Sequence, residues 1–148
     1  MVYEDCRGSN SVFSALLNTN SKIARVIFQP KTRLNFYSTN QLLEELEEHK
    51  QKTLTLSGYT EQELDRIITL ISRKIRFINI TLIPLETFQK AENLTHDIDP
   101  DDTEFVALTE HAKAKLWSGD KKLIQGLLRK GWNKVIITDE LLAVDINR

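Results

Sequence analysis

Residues 99–123 read DPDDTEFVALTEHAKAKLWSGDKKL, and the way this stretch divides into elements decides the fold. "TEFVALTEHAKA" has the apolar spacing of a helix, and "KLWS" reads as a short buried strand. "GDKKLIQGLLRKG" follows as a second helix, ended by Gly131, and "KVIIT" as a second strand. Helix, strand, helix and strand in succession are the pattern of crossover units, which build a parallel sheet covered by helices. The expected class is therefore α/β, a central parallel β-sheet flanked by helices. In such folds sites gather at the carboxyl ends of the strands. Asp120, just after "LWSG", and Asp139, just after "VIIT", fall at that edge.

Upstream of this block, "LETFQKAENL" reads as a helix, and "RFINITLIP" as a strand closed by Pro84. Thr60 followed by "EQE" makes a capping-box start for "EQELDRIITLISRKI". "NQLLEELEEHKQK" reads as one helix starting near Thr39 or Asn40, and "RLNFYS" before it as a short strand. "SVFSALLNTNSKIARVIF" reads as helix, a break at "NTNS", and helix again. "YEDCR" carries charges where a central strand would be buried, so the first strand, over residues 1–8, is expected to be weak.

The chain has 148 residues, the size of one compact domain, so residues 1–148 are expected to form a single one. Lys and Arg number 20 against 21 Asp and Glu, which excludes a strongly basic polyanion binder but permits a local basic patch. The apolar runs are too short to span a membrane, the N-terminus lacks a secretion pattern, and Cys6 has no intramolecular partner. These traits fit a soluble cytoplasmic protein. His49, His96 and His111 show no zinc spacing, and neither a P-loop nor a nucleophilic triad is recognisable.

Asp97, Asp99, Asp101 and Asp102 crowd into one short segment. An EF-hand loop fails, because its sixth position is Asp102 rather than Gly and its twelfth is Leu108 rather than Glu. Helix capping explains part of the cluster, with Asp101 and Glu104 in capping-box spacing. A divalent-metal site explains the remainder if carboxylates arrive from elsewhere, since Mg²⁺ and Mn²⁺ prefer hard oxygen ligands. Asp120 is one such partner, with an N-cap role as its alternative. Lys121 and Lys122 oppose the helix dipole there and suit a phosphate-facing role. Glu45 is the other partner: Leu42, Leu43 and Leu46 define an apolar stripe that Glu45 and Glu47 flank, whereas Glu44 and Glu48 point to water.

"SNSVFSALL", "LLEELEEHK" and "DPDDTEFVALTEHAKAKLWSGDKKL" together resemble a PIN domain, nearest to the branch that includes VapC-like toxins of toxin–antitoxin systems. The resemblance runs in order from about residue 8 to about residue 140. It implies a metal-dependent ribonuclease in which Glu45, Asp102 and Asp120 are catalytic and hold Mg²⁺ or Mn²⁺, with Asp99 as a helper. It also implies that Asn10, Ser118, Lys121 and Lys122 meet an RNA substrate, that the protein is a homodimer, and that a cognate antitoxin occupies the site. The chain departs from the pattern once: "GSN" puts Gly8 where the family carries its first aspartate in a "DxN" motif. That departure opens a second reading, a catalytically impaired PIN-like domain that binds RNA or protein.

Overall fold

The computed structural model describes residues 2–4, 25–26 and 35–146. Five parallel strands form one sheet in the order β3-β2-β1-β4-β5. They are β1 (Val2–Glu4), β2 (Phe36–Thr39), β3 (Ile75–Ile78), β4 (Lys115–Trp117) and β5 (Val135–Ile136). The parallel sheet and its helical cover match the α/β expectation. The first strand is short, only Val2–Glu4, and β1 sits at the centre, pairing with β2 through Val2 and Tyr3 and with β4 through Val2, Tyr3 and Glu4. Backbone pairing on both sides holds this segment in place despite its charged sequence.

The helices are α1 (Asn40–Glu48), α2 (Lys50–Ser57), α3 (Glu61–Lys74), α4 (Leu85–Thr95), α5 (Thr103–Ala112), α6 (Lys121–Arg129) and α7 (Thr138–Ile146). α3 starts on the expected capping box, with Thr60 accepting from Glu63 N and Glu63 accepting from Thr60 N. "NQLLEELEEHKQK" is two helices rather than one, broken at His49. α2 ends on Gly58 in the left-handed region, φ 74°, where only glycine is unstrained. The strand expected to reach Pro84 stops at Ile78, because the Asn79 side chain accepts from Thr81 N and starts a 3₁₀ turn over Ile80–Leu82. Of the two helices expected from residue 11 onward, only Arg25 and Val26 lie among the described residues, and both are helical.

α5 is the central helix, buried along Phe105–Thr109 and packed against β1, β2 and β4. Trp117 is 1% exposed, its ring centroid lies 5.8 Å from that of Phe36, and its indole N–H donates to the Thr138 hydroxyl at 3.0 Å. At the amino edge, Glu110 accepts from the Trp132 indole (2.6 Å), Lys134 (2.8 Å) and Lys90 (3.3 Å). Burial pushes this carboxyl up, but the bonds from Lys134, Trp132 and Lys90 outweigh it and hold Glu110 below the usual carboxylate range. The stability this network contributes is therefore present above the unfolded-state pKa and is lost as pH falls through the lowered one.

Candidate active site

Because every strand is parallel, Thr39, Trp117 and Ile136 end at one edge of the sheet. α1 departs from that edge directly after β2, and α6 departs from it after a short turn following β4. α5 runs the other way. Its last residue, Ala112, lies just before β4 begins, so its first turn returns to the carboxyl edge. Topology thus places Glu45, Asp102 and Asp120 toward the same edge although they are far apart in sequence.

Asp102 is fully buried, at 0% exposure, and its Oδ2 is buried with it. Carboxylates are almost never fully buried without a specific reason, since removing an ion from water costs several kcal/mol or more. Glu45 is half-buried at the margin of the α1 stripe, with Oε2 buried and Oε1 accepting from Gln41 Nε2 at 3.0 Å. Leu42 and Leu46 are buried as the stripe requires, but Leu43 is 39% exposed and Glu47 faces water rather than flanking a cleft.

The side chain that links α1 to the start of α5 is Glu104, which had been read only as half of a capping box. Its carboxyl is pushed above the usual range first by burial, then by the nearby charges of Glu44 and Glu45. Carboxylates from two helices therefore share one field at this edge. The group is only partly buried, so its effect on stability is modest. Raised in the fold, it favours folding below its unfolded-state pKa, and that contribution fades as pH rises. Glu104→Gln is expected to raise stability near neutral pH by about 0.5 kcal/mol, after allowance for solvent screening. The gain should shrink toward pH 4, which thermal melts at the two pH values would check.

The acidic segment is not capped as its spacing suggested. A 3₁₀ turn, Pro100–Asp102, precedes α5, and the cap is Asp99, whose Oδ1 accepts from Asp101 N at 2.9 Å. Asp101 is exposed, and α5 begins at Thr103 with Asp102 at its N-cap position, one residue later than a cap at Asp101 requires. Asp97 is exposed but ion-paired with Lys130, which also donates to the Asn93 and Leu94 carbonyls that end α4. The Thr95 and Thr103 hydroxyls meet at 2.6 Å across the base of the loop.

Ile98 anchors the loop into a notch on α6 at Gly126. A Cβ placed there would stand 2.6 Å from Ile98 Cδ1 and 2.9 Å from Cγ1. Gly126→Val is expected to cost about 1–3 kcal/mol through overpacking. It should also displace the loop that carries Asp102, so a lower melting temperature and weaker RNA cleavage are the readouts.

Asp120 caps α6: its Oδ1 accepts from Lys122 N (3.0 Å) and Leu123 N (3.2 Å). Ser118, 3% exposed, accepts from Asp120 N at 3.2 Å and so fixes the turn from which Asp120 projects. Ser118→Ala is expected to cost about 1 kcal/mol of stability. Loss of the support should lower cleavage roughly 10- to 100-fold, the range for residues that orient metal ligands. Lys121 and Lys122 are exposed beside it. Asn10 and Gly8 lie outside the described residues.

Two further polar groups sit at this edge. Among the described residues, the buried hydroxyls of Ser38 and Thr39 have no hydrogen-bond partner. Buried polar groups are normally paired, with protein or with ordered water. The sequence places a strand ending at Ser38 here, and the observed strand runs one residue further, to Thr39.

The candidate donors Glu45, Asp102 and Asp120 offer hard carboxylate oxygens, the ligand type that Mg²⁺ and Mn²⁺ prefer. Among the described residues, no three His, Cys, Asp or Glu side chains form a group placed to hold an ion. Mg²⁺ is commonly held by one or two carboxylates, with waters and substrate phosphates completing its shell.

A parallel α/β sheet with buried and half-buried carboxylates toward its carboxyl edge is compatible with a nuclease-like fold. The chain belongs to the PIN domain family, whose model matches residues 8–140. PIN domains generally use divalent metal ions and act on RNA. No curated protein and no solved structure matched the chain. Among the described residues, no helix is long and apolar enough to cross a membrane.

Proposed function

We propose that this chain is a divalent-metal-dependent endoribonuclease of the toxin type, acting in the cytoplasm as a homodimer that a cognate antitoxin restrains. The observation that carries this reading is the fully buried Asp102 at the start of α5, beside the charge field shared by Glu44, Glu45 and Glu104. Asp102, Asp120 and Glu45 would hold Mg²⁺ or Mn²⁺, with Asp99 acting mainly through the turn it caps. A bound dication supplies activation of a water and relief of charge on the phosphate. Ser118 orients Asp120, Lys121 and Lys122 meet the RNA backbone, and burial around Asp102 keeps the field strong by excluding solvent.

The second reading, an impaired domain that binds RNA or protein, is favoured by one observation, Gly8 at the position of the family's first aspartate. Incubation of RNA with Mn²⁺ or with EDTA tests the first reading: cleavage in Mn²⁺ alone is expected, and cleavage that persists in EDTA overturns it. Activity that arises only in Gly8→Asp would favour the second.

A further inference from the structure

The proposed active edge presents a difficulty for an RNA substrate. It is dominated by carboxylates, which repel phosphates, so cations elsewhere must supply most of the affinity. Those cations lie on α3 and β3. Arg66, Arg73, Lys74 and Arg76 are all exposed, and none makes an ion pair among the described residues. Of the acidic residues earlier on α3, Glu61 and Asp65 are taken by Lys50 at 3.3 and 3.0 Å, and Glu63 accepts from Thr60 N at 3.3 Å.

The four cations are ordered along two adjoining depressions. One, of about 320 Å³, is lined by Tyr37, Arg73, Lys74 and Arg76 among others. The other, of about 410 Å³, is lined by Asp65, Arg66, Thr69, Leu70 and Arg73. Arg73 borders both, so the two depressions adjoin at its side chain as parts of a candidate groove. The Arg76 guanidinium stands 5.9 Å from the centroid of the half-buried Tyr37 ring, giving the groove an aromatic floor beside its charge.

Direction follows from connectivity. Lys74 ends α3 and Ile75 begins β3 without a gap, so Arg73, Lys74 and Arg76 mark the amino edge of the sheet. Arg66 is two helical turns back, about 10 Å along the axis, toward the carboxyl edge. Among the described residues β3 is a border strand of the sheet, with no strand on its outer flank.

We infer that this groove is a binding track for single-stranded RNA, separate from the cleavage edge and leading toward it. Spaced cations beside an aromatic ring are the combination that single-stranded nucleic acid uses without sequence preference. The inference rests on the reading of RNA as substrate, but it concerns binding alone. It is therefore tested without cleavage, by anisotropy of labelled single-stranded poly(U) in EDTA over a range of salt concentrations.

The triple change Arg66→Ala, Arg73→Ala, Arg76→Ala is expected to weaken binding at least about tenfold and to lower the salt slope by roughly 2, at about 0.7 per lost phosphate contact. The matching triple Arg→Lys variant should retain most of the affinity, which separates charge from any effect on folding. RNA binding within twofold of the parent and an unchanged salt slope in the alanine triple would overturn the inference. Stronger binding of poly-glutamate than of poly(U) would overturn it too, assigning the track to an acidic protein segment. RNA binding through these arginines with no cleavage in Mn²⁺ would instead remove the nuclease reading and leave the track standing.

Discussion

Asp102→Asn is expected to lower metal-dependent RNA cleavage roughly 10³-fold, equivalent to about 4 kcal/mol of transition-state stabilisation. The change keeps the shape of the side chain and removes its charge. Asp102 has no exposure, and the first turn of α5 that follows it shares the field of Glu44 and Glu45. Asparagine has nearly the same size and shape as aspartate, so the melting temperature, read beside cleavage, reports any structural role of the charge. Lost cleavage with an unchanged or higher melting temperature separates a role in chemistry from one in folding. Equal loss of both would make Asp102 a structural residue.

Trp117→Ala is expected to cost about 3–5 kcal/mol, the range for removing a large core aromatic, and so to unfold a marginal domain. Three losses combine there: the buried ring volume, the contact with Phe36 and the hydrogen bond to Thr138. Trp117→Phe keeps most of the apolar area and leaves the Thr138 hydroxyl without its indole donor, so a cost of about 1–3 kcal/mol is expected. Because Ser118 and Asp120 follow directly, the Phe variant should also lose cleavage in proportion to how far that turn shifts. Chemical denaturation of the two variants, with cleavage measured on the folded one, checks both expectations.

The second half of the chain was legible because its signals are local. Apolar period, the glycine at 131 and the short apolar strands each point to one element, and their alternation leaves few topologies. The first half was harder to read. The centre of the sheet falls on "VYE", which lacks a buried-strand composition, and three residues, two of them paired on both sides, carry no periodic signal of their own. The break at His49 was equally hidden, since the residues around it are compatible with an unbroken helix.

The candidate site divides in the same way. Asp120 could be located because a strand and a helix start bracket it. Glu45 was found because a boundary position on an amphipathic helix is computable from spacing. Asp101 was misassigned because capping-box spacing does not reveal that a 3₁₀ turn intervenes, a difference set by Pro100 and the Asp99 side chain. Glu104 was missed as a partner of α1 because its neighbours lie some 60 positions earlier, a contact that no local pattern encodes. The hydroxyls of Ser38 and Thr39 were missed for a related reason: burial at a sheet edge depends on what packs over it.

Calorimetric titration of Mn²⁺ into the parent chain and into Asp102→Asn tests most directly whether the acidic edge is a metal site. One saturable site is predicted in the parent, absent or weakened at least about tenfold in Asp102→Asn, as expected when a ligand rather than a supporting residue is removed. Equal binding by both chains, or none by the parent at millimolar Mn²⁺, would contradict the account.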